Sequence, residues 1–452
     1  MPITMTSNAR RSVLALVLSL VMPAATALAA GAGPEATAEA APRDPPGTRQ
    51  ERWERLRREK LAALRPPRPG LVERTLLAIE KAERPRVSEW NVAGFYPRSQ
   101  SIGWGSQLAL GARFWQPDLG ATELDVHASA FYSIRRYEAY GLQAGFLPHR
   151  GRALPGRSVP GDDPVDFADE VPRGPGGWLG YVSLRYQHLP EVDFFGLGNR
   201  SRAEDRSTFL LQDAWYDLVL AYQPSPRATL MARGGFLQAF VGPGRDESLP
   251  TLGEVFPASA LPGIDRQPDF THVTGVALLD GRDEPGNPHA GALLGLLASR
   301  VDDRGTDAFA FHRLSADARG YLPLGSAQRV LALRALATTD RPADGAQVPF
   351  FMQQTLGGSH TLRGYPSFRF RGERLLLLQA EYRWEANPAV ELALFVDAGR
   401  ASSHAAGWSL EDMHTSYGAG LRIKTFDAVR FRLDVARSRE MTRVLVRLGP
   451  SF

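Results

Sequence analysis

Short segments in which apolar and polar residues alternate fill this chain from about Glu89 to its last residue, Phe452. Each segment is about ten residues long and ends in turn residues, and no helical layer separates one from the next. Successive side chains of a strand point to opposite faces, so each segment predicts a strand with one apolar and one mixed face. A run of this length without helices narrows the fold to a large antiparallel β structure.

Two segments near the C-terminus show the alternation most clearly. In one, Gln379, Glu381 and Arg383 lie on one face and the residues between them are apolar or aromatic. In the other, Glu391 and Asp397 share a face opposite an aliphatic row. In a soluble sheet the apolar face would be a core, whereas in a membrane barrel it would contact lipid and the charged face would line the lumen.

The spacing of aromatic residues favours the membrane alternative. Trp178 and Tyr186 lie on one face and bracket apolar positions. They are eight positions apart in the sequence, which corresponds to about 26 Å at ~3.3 Å per residue and is typical of paired interfacial girdles. A soluble sandwich would need two sheets with nearly uncharged inner faces. We therefore predict an all-β fold, a transmembrane antiparallel β-barrel of about sixteen strands, preceded by a short helical periplasmic segment.

The expected strands can be placed by counting back from the C-terminus. They lie near residues 89–96, 102–114, 121–133, 137–147, 178–189, 207–222, 227–240, 270–280, 290–301, 308–322, 328–339, 373–385, 389–400, 415–425, 428–438 and 441–449. An even number places both ends of the barrel on the periplasmic side and makes 190–206, 241–269 and 340–372 extracellular. Residues 148–177 are long and rich in Pro and Gly, yet this count makes them periplasmic, so their side stays open.

The N-terminal region predicts export. Arg10 and Arg11 precede a short apolar run, and Ala27-Leu28-Ala29 is a small-x-small site, so residues 1–29 are expected to be a signal peptide cleaved near Ala29. The apolar run is shorter than the ~20 residues that a spanning helix needs. Residues 30–88 are expected to be a Pro/Ala-rich linker with short periplasmic helices within 48–84. The barrel domain is expected to cover 89–452, and the expected localisation is the bacterial outer membrane.

Several classes of function are disfavoured. The chain has no cysteine and a net charge of only +4, so it offers no disulfide, thiolate metal site or cysteine nucleophile. Its arginines are dispersed along an exported chain, which disfavours nucleic-acid binding. Gly-x-Ser-x-Gly, His-Glu-x-x-His and P-loop motifs are absent, and the nearest approach, at residues 357–361, lacks the last glycine. We therefore expect a protein that is not an enzyme and has no cofactor or metal.

Several motifs carry a family resemblance. They are FFGLGN at 194–199, LLDGRDEPGNPHAG at 278–291, LGGSHTLRGY at 356–365, FVDAG at 395–399, SYGAGLR at 416–422 and the terminal Phe452. In this order they resemble the BamA/TamA superfamily of outer-membrane barrels, also called the bacterial surface antigen family. The resemblance covers roughly residues 89–452 and implies that Phe452 is a C-terminal assembly signal.

The resemblance also implies a specific site. In the family, the arginine of an Arg-Gly-aromatic motif lies on the sixth extracellular loop, folds into the lumen and pairs with acidic residues on the next two strands. Arg363, Glu381 and Asp397 match those positions. The alternation independently places both carboxylates on the lumen face, and a guanidinium can bridge two carboxylates. Two alternatives stay open: Arg363 is a solvated loop residue, or the cluster only braces the loop.

The remaining loop residues complete this expected clasp. Gly357, Gly358 and Gly364 would let the backbone turn tightly and approach the barrel wall. Tyr365 would pack beside the arginine.

The implied function is assistance in inserting or translocating polypeptides at the outer membrane. The expected partners are outer-membrane lipid, client outer-membrane or secreted polypeptides, and a separate periplasmic partner, because residues 30–88 contain no recognisable POTRA module. A weakly paired seam between the first and last strands would let an exposed edge template an incoming strand. The alternative function is a passive pore or a structural barrel without client handling.

Overall fold

The computed structural model describes residues 94–100, 102, 105–106, 108–147, 171, 176–246, 248–326, 328–424 and 429–447. The expected signal peptide, the linker with its helices and Phe452 lie outside these residues. Within the described part of the chain, no helix is both long enough and apolar enough to cross a bilayer.

Sixteen strands form one antiparallel sheet, and two short strands pair separately. The strands are β1 (Phe95–Gln100), β2 (Ala109–Gln116), β3 (Asp125–Ser133), β4 (Glu138–Phe146), β5 (Gly177–Phe194), β6 (Ser207–Ser225), β7 (Ala228–Pro243), β8 (Phe270–Asp280), β9 (Gly291–Asp303), β10 (Phe311–Pro323), β11 (Arg329–Pro342), β12 (Gln354–Leu356), β13 (Phe370–Gly372), β14 (Arg374–Asn387), β15 (Val390–Ser402), β16 (His414–Lys424), β17 (Val429–Arg437) and β18 (Thr442–Arg447). One short helix, α1 (Leu252–Val255), lies between β7 and β8.

Each strand of the large sheet pairs with its neighbour in sequence, except that β11 pairs with β14 across the β12–β13 insertion. The alternation is clearest on β6, where Leu218 and Leu220 are exposed while Asp213 and Asp217 are buried on the other face. An apolar outer face and a polar, buried inner face are the pattern of a membrane barrel. The prediction of an all-β barrel of about sixteen strands is confirmed.

The sheet curls around its polar face. Arg369, which precedes β13, donates to Ser201 in the β5–β6 loop at 2.8 Å and to Glu440 in the β17–β18 loop at 2.8 Å. These loops belong to distant parts of the strand order, so the sheet encloses a lumen. We call the end that carries these loops and the β11–β14 insertion the loop end, and the opposite end the turn end. In the described residues no pairing joins β1 to β18.

An apolar cluster packs across the loop end. The rings of Phe194, Phe209 and Phe350 contact one another edge-on, with centroids 5.3 to 6.4 Å apart. Leu252 and Leu261 from the β7–β8 connection join the same buried cluster. These side chains come from the ends of β5 and β6, from the β7–β8 connection and from the β11–β14 insertion, so their burial fixes the two connections over the lumen.

The boundaries of the first two strands were predicted wrongly. The strands expected at 89–96 and 102–114 lie at Phe95–Gln100 and Ala109–Gln116. The backbone between them turns, since the Ile102 N–H donates to Ser106 Oγ at 3.1 Å and Gly105 has a φ of 85°. A positive φ interrupts a strand, and glycine makes it accessible without strain.

Candidate functional site in the lumen

The strands β12 and β13 form a hairpin that folds inside the sheet. Leu356 pairs with Phe370 in the hairpin, and both are buried. They belong to one apolar cluster with Leu336 of β11 and Leu377 of β14, whose side chains point into the lumen. The burial of these residues holds residues 357–369, the tip of the hairpin, against the barrel wall.

Arg363, at the tip of the hairpin, contacts both carboxylates that the motif indicated. Its Nη2 donates to Asp397 Oδ1 at 2.6 Å and its Nε to Asp397 Oδ2 at 2.9 Å. Its Nη1 donates to Glu381 Oε2 at 2.6 Å. All three side chains are fully excluded from solvent. The guanidinium therefore bridges β14 and β15 with its bidentate fork on one carboxylate and its remaining nitrogen on the other.

Three further charged residues extend this contact to β16 and β17. Arg422 of β16 donates to Glu381 at 3.0 Å and to Asp434 of β17 at 2.5 Å. Arg432 of β17 lies 3.2 Å from Asp434 and donates to the Ser359 carbonyl of the hairpin tip at 2.9 Å. The clasp, defined as Arg363, Glu381, Asp397, Arg422, Arg432 and Asp434, thus contains three guanidinium groups and three carboxylates. Balanced pairing is what allows six charges to be buried together.

Neutral groups complete the surroundings of Arg363. Its Cζ lies 3.5 Å from the centroid of the Phe395 ring, a cation–π contact. Asp397 also accepts from Gln379 and Ser416, at 3.1 Å each. Burial opposes the charged form of Arg363, but the carboxylates outweigh it and hold the pKa of the guanidinium above its usual value.

Glycines of the tip permit the close approach. Gly357 has a φ of 117°, and a Cβ there would lie 1.9 Å from the Pro366 carbonyl oxygen. Gly364 lies directly against the wall, where a Cβ would be 2.8 Å from Ser416 Cβ. Gly358 also has a positive φ, and its N–H donates to the Tyr365 carbonyl at 3.1 Å. The tip therefore requires residues without side chains at these positions.

Tyr365 is buried in a different part of the site from the one expected. Its ring contacts Phe370 at 5.2 Å and His414 at 5.7 Å, between centroids, while the aromatic partner of Arg363 is Phe395. The Tyr365 carbonyl accepts from Arg443 of β18. Tyr365 thus connects the hairpin to β16 and to the last strand.

The hairpin and the clasp lie in a part of the chain that matches a known domain. The Omp85 superfamily domain matches residues 265–442, from just before β8 to the first residue of β18. Residues 265–442 carry an Omp85 superfamily domain. The fold of the chain is similar to that of BamA from Haemophilus ducreyi lacking POTRA domains 1–3, with a TM-score of 0.52 and 12% identity over 88% of this chain and 80% of that one.

CdiB from Escherichia coli is also similar, with a TM-score of 0.44 and 13% identity over 80% of this chain and 60% of that one. No curated protein matches the chain significantly in sequence.

The Omp85 domain contains clasp residues that sequence reasoning missed. The stretch SYGAGLR was treated only as a family match, yet Ser416 and Arg422 both bond clasp carboxylates. The glycines between them face the same side: a Cβ on Gly418 would lie 2.5 Å from the Phe395 ring, and one on Gly420 would lie 2.2 Å from Arg422 Nη1. The alternation of polar and glycine residues in the stretch was a signal for a crowded inner face.

The FFGLGN stretch, at the end of β5 and in the β5–β6 loop, contacts the hairpin from the loop end. The Gly198 N–H donates to the Arg371 carbonyl of β13 at 2.6 Å. Asn199 contacts β16 through its carbonyl, 2.8 Å from His414 Nε2. The loop therefore fixes the base of the hairpin while the clasp fixes its tip.

The turn between β8 and β9 lies across the turn end. Arg383 of β14 donates to Asn287 Oδ1 at 3.3 Å and to the Pro288 carbonyl, and the Val429 N–H donates to the Gly286 carbonyl. Asp283 shapes the turn by accepting from three backbone N–H groups. Burial raises the pKa of Asp283, but these hydrogen bonds outweigh it and the net shift is downward. The motif thus joins β8 and β9 to β14 and β17.

The Gly420→Ala substitution is expected to destabilise the barrel by about 1–3 kcal/mol, because the added methyl would displace Arg422 or Asp434 in a crowded wall. The midpoint of urea-induced unfolding in lipid vesicles measures this effect. Gly320→Ala is the matched control, since Gly320 also lies in a strand but has no atom within 4 Å of the added Cβ. Equal midpoints for the two variants would contradict the assignment of Gly420 to the clasp wall.

Proposed function

We propose that this protein assists the insertion or translocation of polypeptides at the bacterial outer membrane, without enzymatic chemistry. The observation that carries the proposal is the linear order of the sheet, in which β1 and β18 are the two edges. A strand edge presents backbone N–H and C=O groups that can pair with an incoming strand. The similarity of the fold to BamA supports a role of this class.

The edge strands are suited to exchange partners. Within the part of the chain that the structure describes, β1 and β18 have 6 residues each, whereas β5 and β6 have 18 and 19. A short strand can form few backbone hydrogen bonds along its edge, so any pairing across the seam would be weaker than an interface between long strands. An incoming client strand would pair with one edge of the sheet. The outward-facing side chains of the client would then contact lipid, as the apolar outer face of the barrel is expected to do.

The interior of the barrel supports a route along the seam more than one through the lumen. The hairpin is clasped inside the sheet, and the apolar cluster packs across the loop end. A folded-in hairpin with fully buried charges leaves little open path for a chain through the centre. Tyr365 and Arg443 connect this hairpin to β18, so the hairpin also supports the wall next to the seam. We propose that a separate periplasmic partner delivers the client.

A reversible cross-link across the seam tests this function. The chain has no cysteine, so single cysteines can be placed in turn in β1 and in β18, and pairs that form a disulfide can be selected. In vesicles that contain the locked barrel, insertion of an unfolded client barrel is expected to fall to the rate without protein, and a reductant is expected to restore it. Depletion of the protein from cells is expected to reduce specific outer-membrane or secreted proteins.

The matched control locks a neighbouring pair instead. Pro97 of β1 and Ala112 of β2 are cross-strand partners, so a disulfide between cysteines at these positions leaves the seam free. Unchanged insertion by the seam-locked barrel, or an unaltered outer-membrane and secreted protein profile after depletion, would refute the proposed function and favour a pore or structural barrel.

A further inference from the structure

One section of the lumen wall is apolar, unlike the charged wall around the clasp. Ala221 of β6, Met231 of β7, Val276 of β8 and Leu297 of β9 are consecutive cross-strand partners. Together with three other buried residues they form one cluster, which we call the lumen patch: Val219, Ala221, Met231, Val276, Leu278, Leu293 and Leu297. The patch lies in the half of these strands next to the turn end.

The register shows that the patch faces inward. Leu297 pairs with Ser315 of β10 and Leu293 with Arg319, and both partners are buried on the lumen face with Asp317. On β8, Val276 is 6% exposed whereas Val273 is 67% exposed. An aliphatic surface inside a polar lumen is unfavourable as long as it contacts water. A covering group is therefore needed to account for the burial of the patch.

Val171 is such a covering group. It is 4% exposed and belongs to the same apolar cluster as the patch. Val171 comes from the connection between Phe146 at the end of β4 and Gly177 at the start of β5, which lies at the turn end. It does not belong to any strand, so its burial reflects a contact of the connection with the inner wall.

We propose that the lumen patch is a docking site for the chain's own β4–β5 connection, residues 147–176, anchored through Val171. The group that occupies the lumen patch is the aliphatic side chain of Val171. The sequence next to Val171 is acidic, with Asp169 and Glu170 immediately before it. Carboxylates favour water over an apolar surface, so the single valine is the part of this sequence that suits a reversible apolar contact.

The absence of cysteine makes the docking directly measurable. Val171→Cys is combined with Met231→Cys, which faces the lumen, or with Leu230→Cys, which is 53% exposed on the outer face. In purified barrel in lipid vesicles, a short bismaleimide is expected to cross-link the first pair within one chain and not the second. Cross-linking to position 230, cross-linking only between chains, or no cross-link in either pair would overturn the proposal.

A second measurement does not depend on cross-linking geometry. Maleimide labelling of Val171→Cys is expected to be about tenfold slower than that of Glu123→Cys, an exposed position in the β2–β3 turn. Adding Val276→Thr and Leu297→Thr is expected to remove the difference, because the patch becomes polar. Val273→Thr with Leu294→Thr, on the outward faces of the same strands, is expected to leave the difference in labelling rate unchanged. Equal labelling of positions 171 and 123 in the unaltered patch would also overturn the proposal.

Discussion

Replacing Arg363 with alanine is expected to lower the stability of the barrel by about 3–5 kcal/mol, because Asp397 and Glu381 would be left charged and buried without their main partner. The effect should be visible as a lower midpoint of urea-induced unfolding in lipid vesicles. Limited proteolysis is expected to cleave the variant within residues 357–369, since loss of the clasp frees the tip of the hairpin.

Arg341→Ala is the matched control, because Arg341 lies at the end of β11 and is exposed. Exposed charges contribute little to stability, so its midpoint should stay within about 0.5 kcal/mol of the parent value. Arg363→Lys is informative as well: it keeps the charge but lacks the planar fork, and we expect an intermediate midpoint. Equal midpoints for Arg363→Ala and Arg341→Ala would show that Arg363 is a solvated loop residue.

The carboxylates provide an internal test of the same contact. Asp397→Asn combined with Arg363→Ala is expected to be less destabilising than the sum of the two single substitutions, because the second change removes the unpaired charge that the first creates. Additive effects would mean that the two residues act separately.

The sequence predicted the face of each clasp carboxylate because strand geometry repeats every two residues. Glu381 and Asp397 were placed on the inner face by alternation alone, and the motif added Arg363. Arg422 and Asp434 were missed because their pairing depends on how β16 and β17 are aligned, and the register of a pair of strands is not encoded by either strand alone. Alternation indicates which residues share a face, and only the register indicates which of them meet.

Loops and strand ends were less predictable for a related reason. The turn at Gly105 interrupts an apolar, aromatic stretch whose pattern predicts a strand, so the predicted boundaries of the first two strands differ from the observed ones. The partner of Tyr365 was also misplaced, since its contacts with Phe370 and His414 depend on the path of the hairpin. Burial of Val171 had no local signal, because a single valine in a Pro/Gly-rich connection carries no periodicity.

Removal of the hairpin is expected to convert a barrel that rarely conducts ions into one that conducts them steadily. β11 and β14 are neighbours in the sheet, so a short turn can replace residues 344–372 without altering the pairing. This deletion removes Arg363 from the clasp and also the aromatic residues that the insertion contributes to the apolar cluster, such as Phe350. In planar bilayers we expect rare, small openings for the parent barrel and a steady conductance several-fold larger for the deletion variant.

The charge of the wall predicts the selectivity of that conductance. The clasp has three positive and three negative groups, and without Arg363 it keeps two arginines, Arg422 and Arg432, and three carboxylates, Glu381, Asp397 and Asp434. The deletion variant should therefore prefer cations, and adding Asp397→Asn should weaken the preference without closing the pore. Arg363→Ala, which keeps the hairpin, should give intermittent openings. A parent barrel that conducts steadily and equally well would instead identify a passive pore and would contradict the proposed plugging of the lumen by the hairpin.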